Sequence, residues 1–143
     1  MIVVLDCDAA IEIVFNRAKG KALRELIATA EKTVSSELFR IEVANVLRKY
    51  YQGNHIKKAE CGKALELAEN LVDEFIPIKE NHLEALHESM RLSSSAYDML
   101  YLTIARRMGA TLVTLDKSLN AIAEKEGIDT VNQYAYGMME NLE

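Results

Sequence analysis

The sequence predicts an α/β domain in which a parallel sheet is covered by helices on both faces. Three observations carry that expectation. Short apolar or β-branched segments alternate with longer segments of helical periodicity, the pattern of parallel strands joined by crossover helices. The first of the short segments, Met1-Ile-Val-Val-Leu5, is apolar at every position rather than at alternate ones, as a strand buried on both faces must be. One Pro and six Gly in 143 residues leave too few turn-formers for an all-β sandwich.

The elements follow in order. Met1–Leu5 is the first strand, and helical spacing begins after it with Ala9, Ala10, Ile13 and Val14. Lys32–Ser35 is a weaker second strand. The next helix, 37–51, is apolar on nearly every side and is expected to be largely buried. Gly53 closes it, and Asn54 is placed to cap a helix over about 56–73. Glu74–Ile78 reads as a strand that Pro77 restricts to an edge. Asn81 and Glu84 have capping-box spacing for a helix over 82–92. Ser93–Ser95 breaks the chain, and a further helix runs to Gly109, a residue suited to the position just past a helix end. Thr111–Leu115 reads as an interior strand, 117–126 as a helix ending at Gly127, and Ile128–Val131 as a last strand. No repeat, linker or second domain interrupts residues 1–143, which read as one domain.

Apolar types make up 50% of the chain and charged types 27%, an ordinary globular balance that excludes a disordered chain. No apolar run approaches the ~20 residues that span a bilayer. With no secretory pattern at the start, a cytoplasmic protein without membrane contact is expected. Cys7 and Cys61 have no metal-ligand spacing. The net charge is −5, which argues against a basic nucleic-acid-binding surface. It leaves nucleic acid open if some acids hold divalent cations, because bound metals invert the local electrostatics.

In an open parallel sheet, ligands bind beyond the carboxyl ends of the strands. Asp6 and Asp116 stand directly after the two best strands, where such a site must lie. Two further acids are on helices: Glu42, with Leu38 and Val46 one turn away on either side, and Asp98, in a first helical turn. Each has a plainer reading. Asp98 lies three residues after Ser95, as in a capping box. Asp116 is placed to cap its helix, Asp8 reads as a cap rather than a ligand, and Glu42 has Arg40 and Arg48 nearby. One shared acidic site explains Asp6, Glu42, Asp98 and Asp116 together more simply than four separate accidents.

The ordered segments Leu5-Asp6, Ile41-Glu42-Val-Ala-Asn-Val-Leu47, Tyr97-Asp98-Met-Leu-Tyr-Leu-Thr-Ile-Ala105 and Leu112-Val-Thr-Leu-Asp116 resemble those of the PIN-domain nucleases, and within them the VapC-type toxins of toxin–antitoxin pairs. The likeness spans essentially the whole chain. It implies a PIN-like parallel sheet of about five strands with helices on both faces, homodimerisation, and a Mg²⁺- or Mn²⁺-dependent endoribonuclease activity on RNA. By position it implies that Asp6, Glu42, Asp98 and Asp116 form the catalytic and metal-binding acidic site, with Asp6 and Asp98 as main ligands. Thr114 matches the family's hydroxyl before the last acid, and Lys117 is a candidate for a phosphate contact. Asp8 departs from the pattern, since many relatives carry Ser or Thr there. An antitoxin partner is implied, one that fills the groove and offers a basic side chain to the acids.

Phosphodiester hydrolysis needs an activated water and neutralised charge, and carboxylates holding divalent metal provide both. His55, His82 and His87 fall outside the four segments and read as surface or packing residues, so no acid–base histidine couple is placed for metal-free cleavage. Two other readings compete. Asp6-Cys7-Asp8 mimics the Asp-x-Asp of haloacid-dehalogenase-type phosphatases, in which the first Asp is a covalent nucleophile; Ala9-Ala10 and Lys117-Ser118 depart from that family's continuation. A protein-binding module that keeps the fold without activity is the other.

Overall fold

The computed structural model describes residues 1–131. Four parallel strands form the sheet: β1 (Ile2–Leu5), β2 (Lys32–Ser36), β3 (Glu74–Ile76) and β4 (Thr111–Val113), in the order β3-β2-β1-β4. Val3 stands opposite Thr33 on one side and Thr111 on the other, so the first strand of the chain lies at the centre. Val3, Val4 and Leu5 are all fully buried. Successive strand side chains point to opposite faces, so both faces of β1 are covered. The all-apolar reading of this segment therefore matches its position.

The helices are α1 (Cys7–Val14), α2 (Gly20–Ala28), α3 (Leu38–Gln52), α4 (Lys58–Glu69), α5 (His82–Leu92), α6 (Ala96–Met108) and α7 (Lys117–Lys125). Helix α6 lies across β1, β2 and β4 and packs against α5, while α1, α3 and α4 pack on one another. No helix among the described residues is long and apolar enough to cross a membrane.

Several local expectations change. The most buried helix is α6, with every residue from Met99 to Ala105 inside. Helix α3 buries only the stripe Phe39, Val43 and Leu47, leaving Ile41 65% exposed. Its many apolar residues are thus divided between core, cavity and surface. Helix α2 has no counterpart among the predicted elements, although Ala22, Leu23, Leu26 and Ile27 have helical spacing; Gly20 opens it because a Cβ there would lie 2.4 Å from the Glu12 carbonyl oxygen.

Asn54 caps nothing: it sits in the left-handed region at φ 61°, and the Lys57 N–H donates to Glu60 Oε1 at 2.8 Å at the start of α4. Nor does Asn81 close a capping box. Its Nδ2 donates to the Leu100 carbonyl and to Thr103 Oγ1, pinning α5 to α6, and Glu84 pairs with Arg106 and Arg107 instead. Strand β3 lies at the edge, as expected, but it ends at Ile76, and Pro77 and Ile78 fall outside it. The predicted last strand shrinks to one parallel bridge between Leu112 and Thr130, which leaves a four-stranded sheet rather than five.

Candidate acidic active site

The carboxyl ends of β1 and β4 lie side by side, and the residues that follow them build the site floor. Asp6 is the N-cap of α1 and is 8% exposed. Its Oδ1 accepts from the Cys7 N–H at 2.7 Å and its Oδ2 from the Thr114 hydroxyl at 2.7 Å. Thr114 is fully buried and serves as a junction. Its Oγ1 also accepts the Asp116 N–H at 3.1 Å, and its carbonyl accepts Asn120 Nδ2 at 2.9 Å.

Asp8 is not a helix cap. Asp6 takes that position, and Asp8 Oδ1 accepts the Leu115 N–H at 3.1 Å, which turns the side chain toward the end of β4. Glu42 and Asp98 come in from α3 and α6. The Tyr101 hydroxyl, one turn beyond Asp98, donates to Glu42 Oε1. Arg40 pairs with Glu37 and Glu69, and Arg48 bonds Asn45 and Gln52, so neither neutralises Glu42.

Asp6, Asp8, Glu42 and Asp98 line one cavity of about 370 Å³, walled on its apolar side by Ile11, Val46, Tyr50 and Leu115. Asp116 stands beside it as the N-cap of α7, where its Oδ1 accepts the Leu119 N–H. Lys117 is exposed at the start of α7 and does not line the cavity. The three histidines are exposed and lie away from it.

Asp6, Asp8, Glu42 and Asp98 are each held above their usual range. Burial is the main cause for each. The Asp8 charge adds to it at Asp6, the Asp116 charge at Asp8 and Asp98, and the Asp98 and Asp8 charges at Glu42. Hydrogen bonds from Thr114 and Cys7 pull Asp6 the other way, because they favour the ionised form. The Cys7 thiol is pushed far up by burial and by Asp6, so it is an inert filler rather than a nucleophile.

Residues 3–125 match the PIN domain family, with the acidic cavity inside that span. The chain belongs to the PIN-domain family. VapC ribonuclease Mb0985 of Mycobacterium bovis and ribonuclease VapC9 of Mycobacterium tuberculosis are each 32% identical to it over 118 residues, 82% of this chain and 88% of theirs. The crystal structure of PAE2754 from Pyrobaculum aerophilum shares the fold with a TM-score of 0.70 at 19% identity, covering 99% of this chain and 95% of that one. VapBC2 from Rickettsia felis, solved bound to a DNA fragment from their promoter, gives 0.66 at 18%, covering 91% and 97%. Membership sets aside the phosphatase reading of Asp6-Cys7-Asp8.

Among the described residues of this PIN domain, no three His, Cys, Asp or Glu side chains already converge on one point where an ion would sit. The donor chemistry still fits a hard divalent cation. It is all oxygen, and no Lys or Arg among the described residues is paired with it. Mg²⁺ is commonly held by one or two carboxylates and keeps several waters, so convergence of three is not required.

Two features of the site escaped the sequence reading. Tyr101 is three residues from Asp98 and so on the same helix face, a spacing that could have linked it to the site. Arg17 lines the cavity, and no motif marks it.

Proposed function

We propose that this PIN domain is a metal-dependent endoribonuclease that hydrolyses RNA phosphodiester bonds, and that it is the toxin of a toxin–antitoxin pair. One observation carries the reading: carboxylates from the end of β1 and from helices α1, α3 and α6 share a single cavity, with Asp116 beside it, and no Lys or Arg among the described residues is paired with them. Supporting it are relatives named as VapC ribonucleases at 32% identity.

Asp6 and Asp98 are the main metal ligands, and Glu42 and Asp116 complete the acidic set. When bound, Mg²⁺ or Mn²⁺ supplies charge neutralisation at the attacked phosphate and a more acidic water. Thr114 and the Cys7 amide hold the Asp6 carboxylate in one orientation. Tyr101 holds one Glu42 oxygen and leaves Oε2 to take the proton of the attacking water. A raised carboxylate pKa suits that task, because a base poised nearer neutrality accepts a proton more readily. Water attack leaves a 3′-hydroxyl on the upstream fragment. The partners are RNA, an antitoxin protein that covers the cavity, and a second copy of the chain; the compartment is the cytoplasm.

The test is cleavage of purified RNA with Mg²⁺ or Mn²⁺ and with chelator. Metal-dependent cuts leaving 3′-hydroxyl ends are expected. A 2′,3′-cyclic phosphate on the products overturns the mechanism. A folded protein that cuts no RNA under either metal is the inactive binding module instead.

A further inference from the structure

Asp6, Asp8, Glu12, Glu42 and Asp98 all line the cavity, and among the described residues Arg17 is the only basic one that does. Yet among the described residues the Arg17 guanidinium meets rings and no carboxylate. Its Cζ lies 5.1 Å from the Tyr50 ring centroid and 5.9 Å from that of Phe15, and those two rings pack edge to face. A stacked guanidinium keeps its fork of N–H donors free at the edge, the geometry that matches phosphate oxygens.

The backbone beneath Arg17 is fixed. Asn16 before it takes the left-handed conformation at φ 50°. The Arg17 N–H donates to the Glu12 carbonyl at 3.0 Å, and its own carbonyl accepts the Gly20 N–H at 2.8 Å. The contact of Gly20 with Glu12 closes this turn from below. An exposed arginine held in this way is preorganised, although nothing in the core requires its charge.

Its place relative to the acids is also defined. Glu42, Val46 and Tyr50 are spaced by four on α3 and all line the cavity, so one helix face runs from the carboxylate to the aromatic ring. Eight residues of helix cover about 12 Å along the axis. A phosphate at Arg17 is therefore not the one lying among the carboxylates.

We propose that Arg17, stacked on Tyr50 at the far end of the acidic cavity, binds a phosphate flanking the scissile one in single-stranded RNA and so sets how the strand crosses the carboxylates. The inference rests on the ribonuclease reading. Arg17 is a positioning residue: it takes no part in bond breaking, and it offsets the repulsion between an acidic cavity and a polyanion.

The experiment is steady-state cleavage, with Mg²⁺, of an oligonucleotide spanning a site first mapped in total RNA, at several KCl concentrations. It compares the parent with Arg17→Ala and Arg17→Gln. Glutamine keeps a stem that packs on Tyr50, so it separates charge from packing. Both variants should melt like the parent and raise KM about tenfold, with kcat changing much less. The slope of log KM against log salt should fall by about 0.7, the loss of one phosphate contact on a single strand. If KM and salt slope are unchanged in a cleaving protein, or if the loss falls on kcat alone, the Arg17 assignment is overturned while the nuclease reading stands. A parent that cuts no RNA with either metal overturns both.

Discussion

The Thr114 hydroxyl donates to Asp6 Oδ2 at 2.7 Å, tying the end of β4 to the end of β1 at the floor of the acidic cavity. The same oxygen accepts the Asp116 N–H. Thr114→Val removes both bonds without changing shape much, leaving a buried carboxylate short of a donor. A loss of about 1–3 kcal/mol in urea denaturation is expected, the usual cost of stranding a buried polar group. The lost bond favoured ionised Asp6, so the acid limb of the cleavage profile should move to higher pH. Thr114→Ser keeps the hydroxyl and should stay close to the parent in both measurements.

Glu42→Gln should reduce cleavage severely while the protein remains folded. Activity within about threefold of the parent, roughly 0.7 kcal/mol in barrier height, would remove Glu42 from the site. Tyr101→Phe deletes the hydroxyl that holds Glu42 Oε1. It should lower kcat by about tenfold, ~1.4 kcal/mol, and leave KM nearly unchanged. An equal loss in KM would mean that Tyr101 shapes the groove instead.

Asp6→Asn should melt higher than the parent in chelator and have no nuclease activity. The Asp6 charge is buried beside Asp8 and Glu42, so an uncharged isostere relieves both desolvation and repulsion. The geometry accepts the amide: its oxygen takes the Cys7 N–H, its NH₂ donates to Thr114, and the Thr114 hydroxyl turns to Asp8 3.3 Å away. Excess Mg²⁺ should raise the melting temperature of the parent by mass action and that of the variant much less. A variant clearly less stable than the parent without metal would make Asp6 a structural residue only.

Stability without metal should fall as pH rises. Asp6, Asp8, Glu42 and Asp98 all have folded pKa values above their ordinary ones of 3.8 or 4.5. Once pH exceeds those ordinary values, the unfolded chain binds fewer protons than the folded one, so the slope of unfolding free energy with pH is negative. The loss begins near pH 4 and is complete only above the raised folded values. Thermal melts in chelator from pH 4.5 to 8 should show a falling midpoint, and Mg²⁺ should reduce the fall. A rising midpoint would contradict the acidic cluster.

How much of this was legible depended on whether a residue's surroundings were local. Asp6 and Asp116 were visible because each ends a strand, and strand ends are where α/β sites form. Glu42 stood out because its helical neighbours at four-residue spacing are apolar. Asp8 was misjudged because its partner, the Leu115 N–H, is 107 residues away, and a cap is the plainer local reading. Asn81 misled for the same reason, its partners Leu100 and Thr103 lying on the next helix. Helix α2 went unassigned because its start is set by contact of Gly20 with α1, which spacing alone does not disclose. Arg17 was beyond reach: its role depends on a ring contributed by α3.

The position of β1 at the centre of the sheet carries a consequence in time. Of the strands in this sheet β1 is made first; it takes one neighbour, β2, early, but its other neighbour is β4, the last strand of the sheet. Asp6 and Thr114 are 108 residues apart. At ~5–20 residues per second of synthesis, Asp6 waits on the order of 5–20 s for that partner. A nascent chain stopped before Thr111 lacks the floor of its cavity and the Asp116 cap of α7. The acidic cavity therefore acquires its floor only once β4 and the start of α7 have been made, long after Asp6 itself.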